Sequence, residues 1–125
     1  MSLNKVMLIG KAGGDPEIRD ANGSKVATFS IATTEHFKDR NGEDKEQTEW
    51  HRIIAWRHLA EFAENHIKKG TQIFIEGKLR TRKWSDRQGI ERYTTEIYAD
   101  SLQVLGRRQD GNNPNGGGGY DNSSF

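Results

Sequence analysis

The sequence predicts an all-β fold, a small five-stranded Greek-key barrel with one inserted α-helix and a C-terminal tail. Three observations carry that prediction. Short segments rich in β-branched and aromatic residues recur from residue 3 to residue 105, and two of their boundaries are Asn-Gly pairs. One stretch, residues 57–70, has helical periodicity, and it falls between strands. Past Gly106 the apolar residues nearly vanish. Strands, one helix, then strands again is the element order of the OB-type barrel.

The first strand is read over LNKVMLIG, residues 3–10, apolar enough to be buried on both faces or pressed against a partner. A short segment at Glu17 to Arg19 follows Asp15-Pro16. Asn22-Gly23 signals a tight turn into VATFSIATT, residues 26–34, where Phe29 and Ile31 mark the inward face. Asn41-Gly42 is a second turn, which reverses the chain into TEWHRIIAW, residues 48–56. In RHLAEFAENHIKKG, Leu59, Phe62, Ala63 and Ile67 fall on one helical face. Lys68 and Lys69 suit the negative end of the helix dipole, and Gly70 suits a left-handed stop. Two strands follow, residues 71–84 and 90–99, joined by SDRQG, and a last one runs from about Leu102 to Leu105. Residues 1–106 thus read as one domain. Residues 107–125, Gly- and Asn-rich, lack the side chains to offset ordering entropy and are expected to be disordered.

At 125 residues, with 32% hydrophobic and 30% charged residues, the chain can build one small core that leaves much apolar surface uncovered. Subunit contact would bury more. Cysteine is absent, which excludes disulfide scaffolds, thiolate metal sites and cysteine nucleophiles. The first residues lack the apolar run of a signal peptide, so a soluble intracellular protein is the expectation. Net charge is only +1, but its distribution is uneven. Lys78 to Arg92 holds six basic and two acidic residues, whereas Glu35 to Glu49 holds three basic and six acidic. A concentrated basic segment acts on a polyanion through its local field.

Alternation in TEWHRIIAW puts Trp50, Arg52, Ile54 and Trp56 on one face, with His51, Ile53 and Ala55 on the core side. In KLRTRKW it groups Lys78, Arg80, Arg82 and Trp84 opposite Leu79 and Thr81. Tyr93 and Tyr98 fall on opposite faces, so one of them is expected in the core. Flat aromatic surface interleaved with cations is what a single-stranded nucleic acid needs, because its bases offer faces to stack and its phosphates need counter-charges. Stacking at about 1–3 kcal/mol per base lets three or four rings supply up to about 10 kcal/mol. Paired, stacked bases of a duplex cannot lie against an indole, and the lone helix has no character of a recognition helix.

The runs NKVMLIGKAGGDPEIR, KEQTEWHRIIAW, LAEFAENHIKKG, IEGKLRTRKW and RYTTEIYA, in that order through residues 3 to about 106, resemble the bacterial single-stranded DNA-binding protein family. The resemblance implies an OB-fold homotetramer of the bacterial cytoplasm and nucleoid that wraps single-stranded DNA in replication, recombination and repair. It implies no catalysis, cofactor or metal. By motif, the family's stacking aromatics fall on Phe37, Trp50, Trp56 and Trp84, and its interface histidine on His51. Phe37 is recommended by the resemblance alone, since its parity matches the inward Phe29 and Ile31; a bulge before Asn41-Gly42 would turn it outward. Phosphate contacts are expected from Arg52, Lys78, Arg80, Arg82, Lys83 and Arg87. Two departures stand out among the rings: Trp56 stands where phenylalanine is common and Phe37 where tryptophan is. The family's tail ends in aspartates and an apolar tip that docks replication and repair proteins. Here the end is YDNSSF, which reads as a natural tail cut within its glycine-rich linker.

Rival readings are weaker. Gly10-Lys11 lacks the Gly-Lys-Ser/Thr end of a phosphate loop, and His58, Glu61 and His66 read as a solvated helix face rather than a metal site. An RNA-binding OB-fold accessory protein would present the same stacking surface. A structural oligomer would bury its tryptophans in subunit contacts.

Overall fold

The computed structural model describes residues 1–106; residues 107–125, and with them the expected tail, lie outside the described part. The described residues form β1 (Val6–Ala12), β2 (Glu17–Ala21), β3 (Ser24–Lys38), β4 (Asp44–Trp56), α1 (His58–His66), β5 (Gln72–Ser85) and β6 (Glu91–Gly106). Five strands close into a barrel. β1 pairs antiparallel with both β5 and β3, β3 with β4, and β5 with β6, while β4 runs parallel to β6 and completes the ring. β2 is a short hairpin partner of β3, joined through Asn22 and Gly23, both at positive φ as a two-residue hairpin turn demands. This is the OB-type barrel that the element order predicts.

Inward alternation fills the barrel. Phe29 and Ile31 of β3, Ile53 of β4, Ile73 and Ile75 of β5 and Ile97 of β6 form one buried cluster. The helix packs against β3, β4 and β6 and adds Ala60 and Ala63, followed by Ile67 just beyond its end. Each fully buried isoleucine contributes about 1.5–3 kcal/mol of transfer free energy. β1 is buried on one face only. Val6 and Leu8 pack on the cluster, whereas Met7 and Ile9 point outward, 59% and 42% exposed.

Two long hairpins leave the barrel as arms. The β3–β4 pairing runs unbroken from Val26–Trp56 to Lys38–Asp44, and the β5–β6 pairing extends to Ser85–Glu91. Asn4 fixes the root of the second arm. Its side chain accepts from the Leu79 N–H (3.0 Å) and donates to the Leu79 carbonyl (2.9 Å), as a strand backbone would.

Several expectations need correction. The helix stops at His66, short of residue 70, because Ile67 turns extended to bury its side chain completely. Gly70, at φ 89°, serves the turn into β5 instead. The two last strands are one. Gly77 pairs with Ala99 and Glu76 with Ser101, so Asp100 is a bulge within β6 and not a break. Gly77 is where that bend brings backbones together: a β-carbon there would lie 2.2 Å from the Tyr98 carbonyl oxygen. Neither tyrosine of β6 enters the core, since Tyr93 lies on the arm with no barrel beneath it and Tyr98 is half-buried on the outer face. No helix among the described residues is long and apolar enough to cross a membrane.

Candidate nucleic-acid interface

Sheet register gathers the residues that alternation singled out. On β4, Trp50, Arg52, Ile54 and Trp56 stand beside Ala32, Ser30, Thr28 and Val26 of β3. Ile54 also stands beside Tyr98 of β6. Tyr98, Glu96, Thr94 and Arg92 stand in turn beside Lys78, Arg80, Arg82 and Trp84 of β5. The outer face is therefore continuous across β3, β4, β6 and β5. It brings Trp50, Arg52, Trp56, Lys78, Arg80, Arg82 and Trp84 onto one surface. Ile54 departs from its expected exposure: flanked by Thr28 and Tyr98, it is 7% exposed.

Trp50 is the most open of these rings, at 60% exposure. Its six-membered ring rests on Gly13, where a β-carbon would stand 2.6 Å from Trp50 Cζ3. The Gly13 N–H donates to the Ser30 carbonyl (2.9 Å), which ties that loop to β3. Together Gly13, Gly14, Asp15, Thr28, Ser30 and Arg52 line an open cleft of about 470 Å³ along the Trp50 ring. Trp84 is held differently, by donation from Nε1 to Thr94 Oγ1 (2.8 Å). Trp56 is half-buried beside Val26.

The side chains of β5 lean diagonally across β6. Arg80 passes its register partner Glu96 to lie over the Tyr98 ring, 5.0 Å from its centroid. Arg82 passes Thr94 to reach Glu96, with Nε 3.2 Å from Oε1 and an Nη 3.3 Å from Oε2. Trp84 passes Arg92 to reach Thr94. From the other side, Arg52 Nε donates to the same Glu96 Oε2 at 2.8 Å. Glu96 is 2% exposed, between guanidiniums that are about half exposed. Burial pushes its carboxyl pKa up, but hydrogen bonds from Arg82 and Arg52, and their charge, outweigh burial and hold it below the usual glutamate value.

Three expected residues stand apart. Phe37 pairs with Lys45 in an unbroken register, so no bulge turns it, and it lies on the opposite face of its arm from Trp50. It is nevertheless 45% exposed, since both faces of the arm meet solvent. Lys83 lies opposite Arg82 in parity and pairs with Glu91 (2.9 Å). Arg87 is exposed in the turn between β5 and β6. His51, half-buried on the core side, shares a hydrogen bond between Nε2 and Thr33 Oγ1 (2.9 Å). Among the described residues, Lys78, Arg80 and Arg87 take part in no salt bridge, whereas Arg92 pairs with Asp86. Glu96, Tyr98 and Gly13 were missed by the sequence reading. The alternation Thr94, Glu96, Tyr98 was a signal for the first two, whereas nothing local marks Gly13.

The chain matches the profile of the single-strand binding protein family over residues 3–105, the span of the barrel and its arms. It belongs to that family. The chain is similar to Single-stranded DNA-binding protein 1 of Xylella fastidiosa, with 50% identity over 113 residues, 89% of this chain and 83% of that relative. It is also similar in structure to a Plasmodium falciparum SSB in complex with ssDNA. The TM-score there is 0.78 at 40% identity, with 84% of this chain and 97% of that one covered. No group of three or more His, Cys, Asp or Glu side chains fit to hold a metal occurs among the described residues of this family member.

Proposed function

We propose that residues 1–106 bind single-stranded DNA without strong sequence preference and protect it during replication, recombination and repair. Bases stack on Trp50, Trp56 and Trp84, with Phe37 on the neighbouring arm, and phosphates meet Lys78, Arg80, Arg87 and Lys83. One observation carries the reading: exposed Trp50 and Trp84 share a continuous sheet face with the cations Lys78 and Arg80, which are free of carboxylate partners among the described residues. A polyanion that offers unpaired bases fits both features at once. The similarity to a protein whose structure holds ssDNA supports the same ligand.

The function is binding, with no reaction catalysed. The assembly is the homotetramer that the family resemblance implies, and the exposed Met7 and Ile9 on β1 give it an apolar strip to bury against another copy. The protein acts alongside replication and repair proteins in the bacterial cytoplasm, at the nucleoid. The test is a titration of the full chain with oligo(dT) and oligo(rU), followed by tryptophan emission and by mass. Quenching by oligo(dT) that weakens with salt supports the reading; unchanged emission and mass at saturating oligonucleotide contradict it. Equal or tighter binding of oligo(rU) transfers the function to RNA.

A further inference from the structure

Arg52 and Arg82 lie at the centre of the proposed DNA face, yet their charge is already engaged. A guanidinium recognises a phosphate through a fork of parallel N–H donors. Arg82 spends such a fork, Nε and one Nη, on Glu96, and Arg52 spends its Nε on the same carboxylate. The three groups together carry one positive charge, not two. Drawing either arginine toward a phosphate would take donors from a carboxylate that is 2% exposed, and drawing both away would leave it buried and unpaired, which is strongly unfavourable. Both arginines remain about half exposed, and a guanidinium whose charge is already matched by a carboxylate can still stack its planar face on a base or hydrogen-bond to a base edge.

Position supports the same use. Arg52 is two residues from Trp50 on one strand, and Arg82 two residues from Trp84 on another, all on the same face. Each guanidinium that holds Glu96 therefore has an indole two residues along its own strand, on the same face and toward the tips of the arms. We propose that Glu96 occupies on Arg52 and Arg82 the place a phosphate would take, so that these two arginines contact bases and leave the backbone to Lys78, Arg80, Lys83 and Arg87. This rests on the reading of the face as a single-stranded DNA surface.

Counterion release separates the two kinds of contact, because removing one cation–phosphate pairing lowers the slope of log Kobs against log[salt] by about 0.7–1. The experiment measures that slope for the full chain with oligo(dT), using wild type, Arg80→Ala, Arg52→Gln, Arg82→Gln and Glu96→Gln. Arg80→Ala is expected to flatten the slope by about one pairing's worth. Arg52→Gln and Arg82→Gln are expected to weaken binding about tenfold at every salt concentration, the loss typical of one stacking interaction, and to leave the slope within about half a pairing of wild type. Glu96→Gln, which frees the guanidiniums, is expected to steepen it. Should Glu96→Gln fail to fold by circular dichroism, the two arginine variants decide alone. Slopes flattened by Arg52→Gln and Arg82→Gln as much as by Arg80→Ala overturn the proposal. Wild-type protein that does not bind oligo(dT) at all fails the functional reading instead, so the two failures are distinct.

Discussion

The indole of Trp50 lies against the α-carbon of Gly13, with no room between them for a methyl group. The ring is thereby supported by the loop that follows β1, although it is the most exposed tryptophan in the molecule. An exposed side chain with a fixed seat is pre-organised, so a base that stacks on it meets less disorder to remove.

Gly13→Ala tests that seat. The added carbon would displace a ring that already borders solvent, and Gly13 is not held at positive φ. The fold is expected to lose under about 1 kcal/mol, as for a surface substitution. Affinity for oligo(dT) is expected to fall about tenfold, the scale of one impaired stacking interaction. Thermal melting and fluorescence titration of the same preparation check both. Unchanged affinity would show that the loop does not set the ring.

Acid stability should depend on Glu96. Its folded-state pKa lies below its unfolded value, so the native state takes up that proton less readily. The stabilisation is complete above the unfolded value and is lost as pH falls through the folded one. Urea midpoints measured from neutral pH downward are expected to drop over that acidic window in wild type and to drop less in Glu96→Gln. Parallel profiles for the two proteins would contradict the assignment.

Arg57 enters the helix at φ 55° and ψ −120°, with no side-chain cap bond. A non-glycine residue there stores about 1–3 kcal/mol of backbone strain. Arg57→Gly relieves it and gives back up to about 1 kcal/mol through the greater freedom of the unfolded chain. The expected result is a modest rise in melting temperature with DNA affinity unchanged. A fall in melting temperature would mean that Arg57 makes interactions worth more than its strain.

Period-two alternation makes most of the candidate face legible in the sequence. Trp50, Arg52 and Trp56 on one strand, and Lys78, Arg80, Arg82 and Trp84 on another, needed only the rule that strand side chains alternate. What alternation lacks is knowledge of neighbours. Ile54 follows the exposed parity but is covered between Thr28 and Tyr98, which come from other strands. Glu96 binds arginines 44 and 14 residues away, and a lone acid in a strand gives no hint of such partners. The Gly13–Trp50 approach is equally non-local. Local rules also misjudged where elements end. Lys68, Lys69 and Gly70 look like a helix terminus, yet Ile67 is drawn into the core first, and the bulge at Asp100 looked like a break between strands.

The claim beneath all of this is that exposed indoles on the sheet face take stacked bases. Titration of wild type, Trp50→Ala and Trp84→Ala with oligo(dT), followed by the remaining tryptophan emission, tests it most directly. The account predicts strong quenching in wild type and a loss of about 1–3 kcal/mol of binding free energy for each variant, with melting temperature nearly unchanged. Wild-type affinity retained by both variants would contradict it.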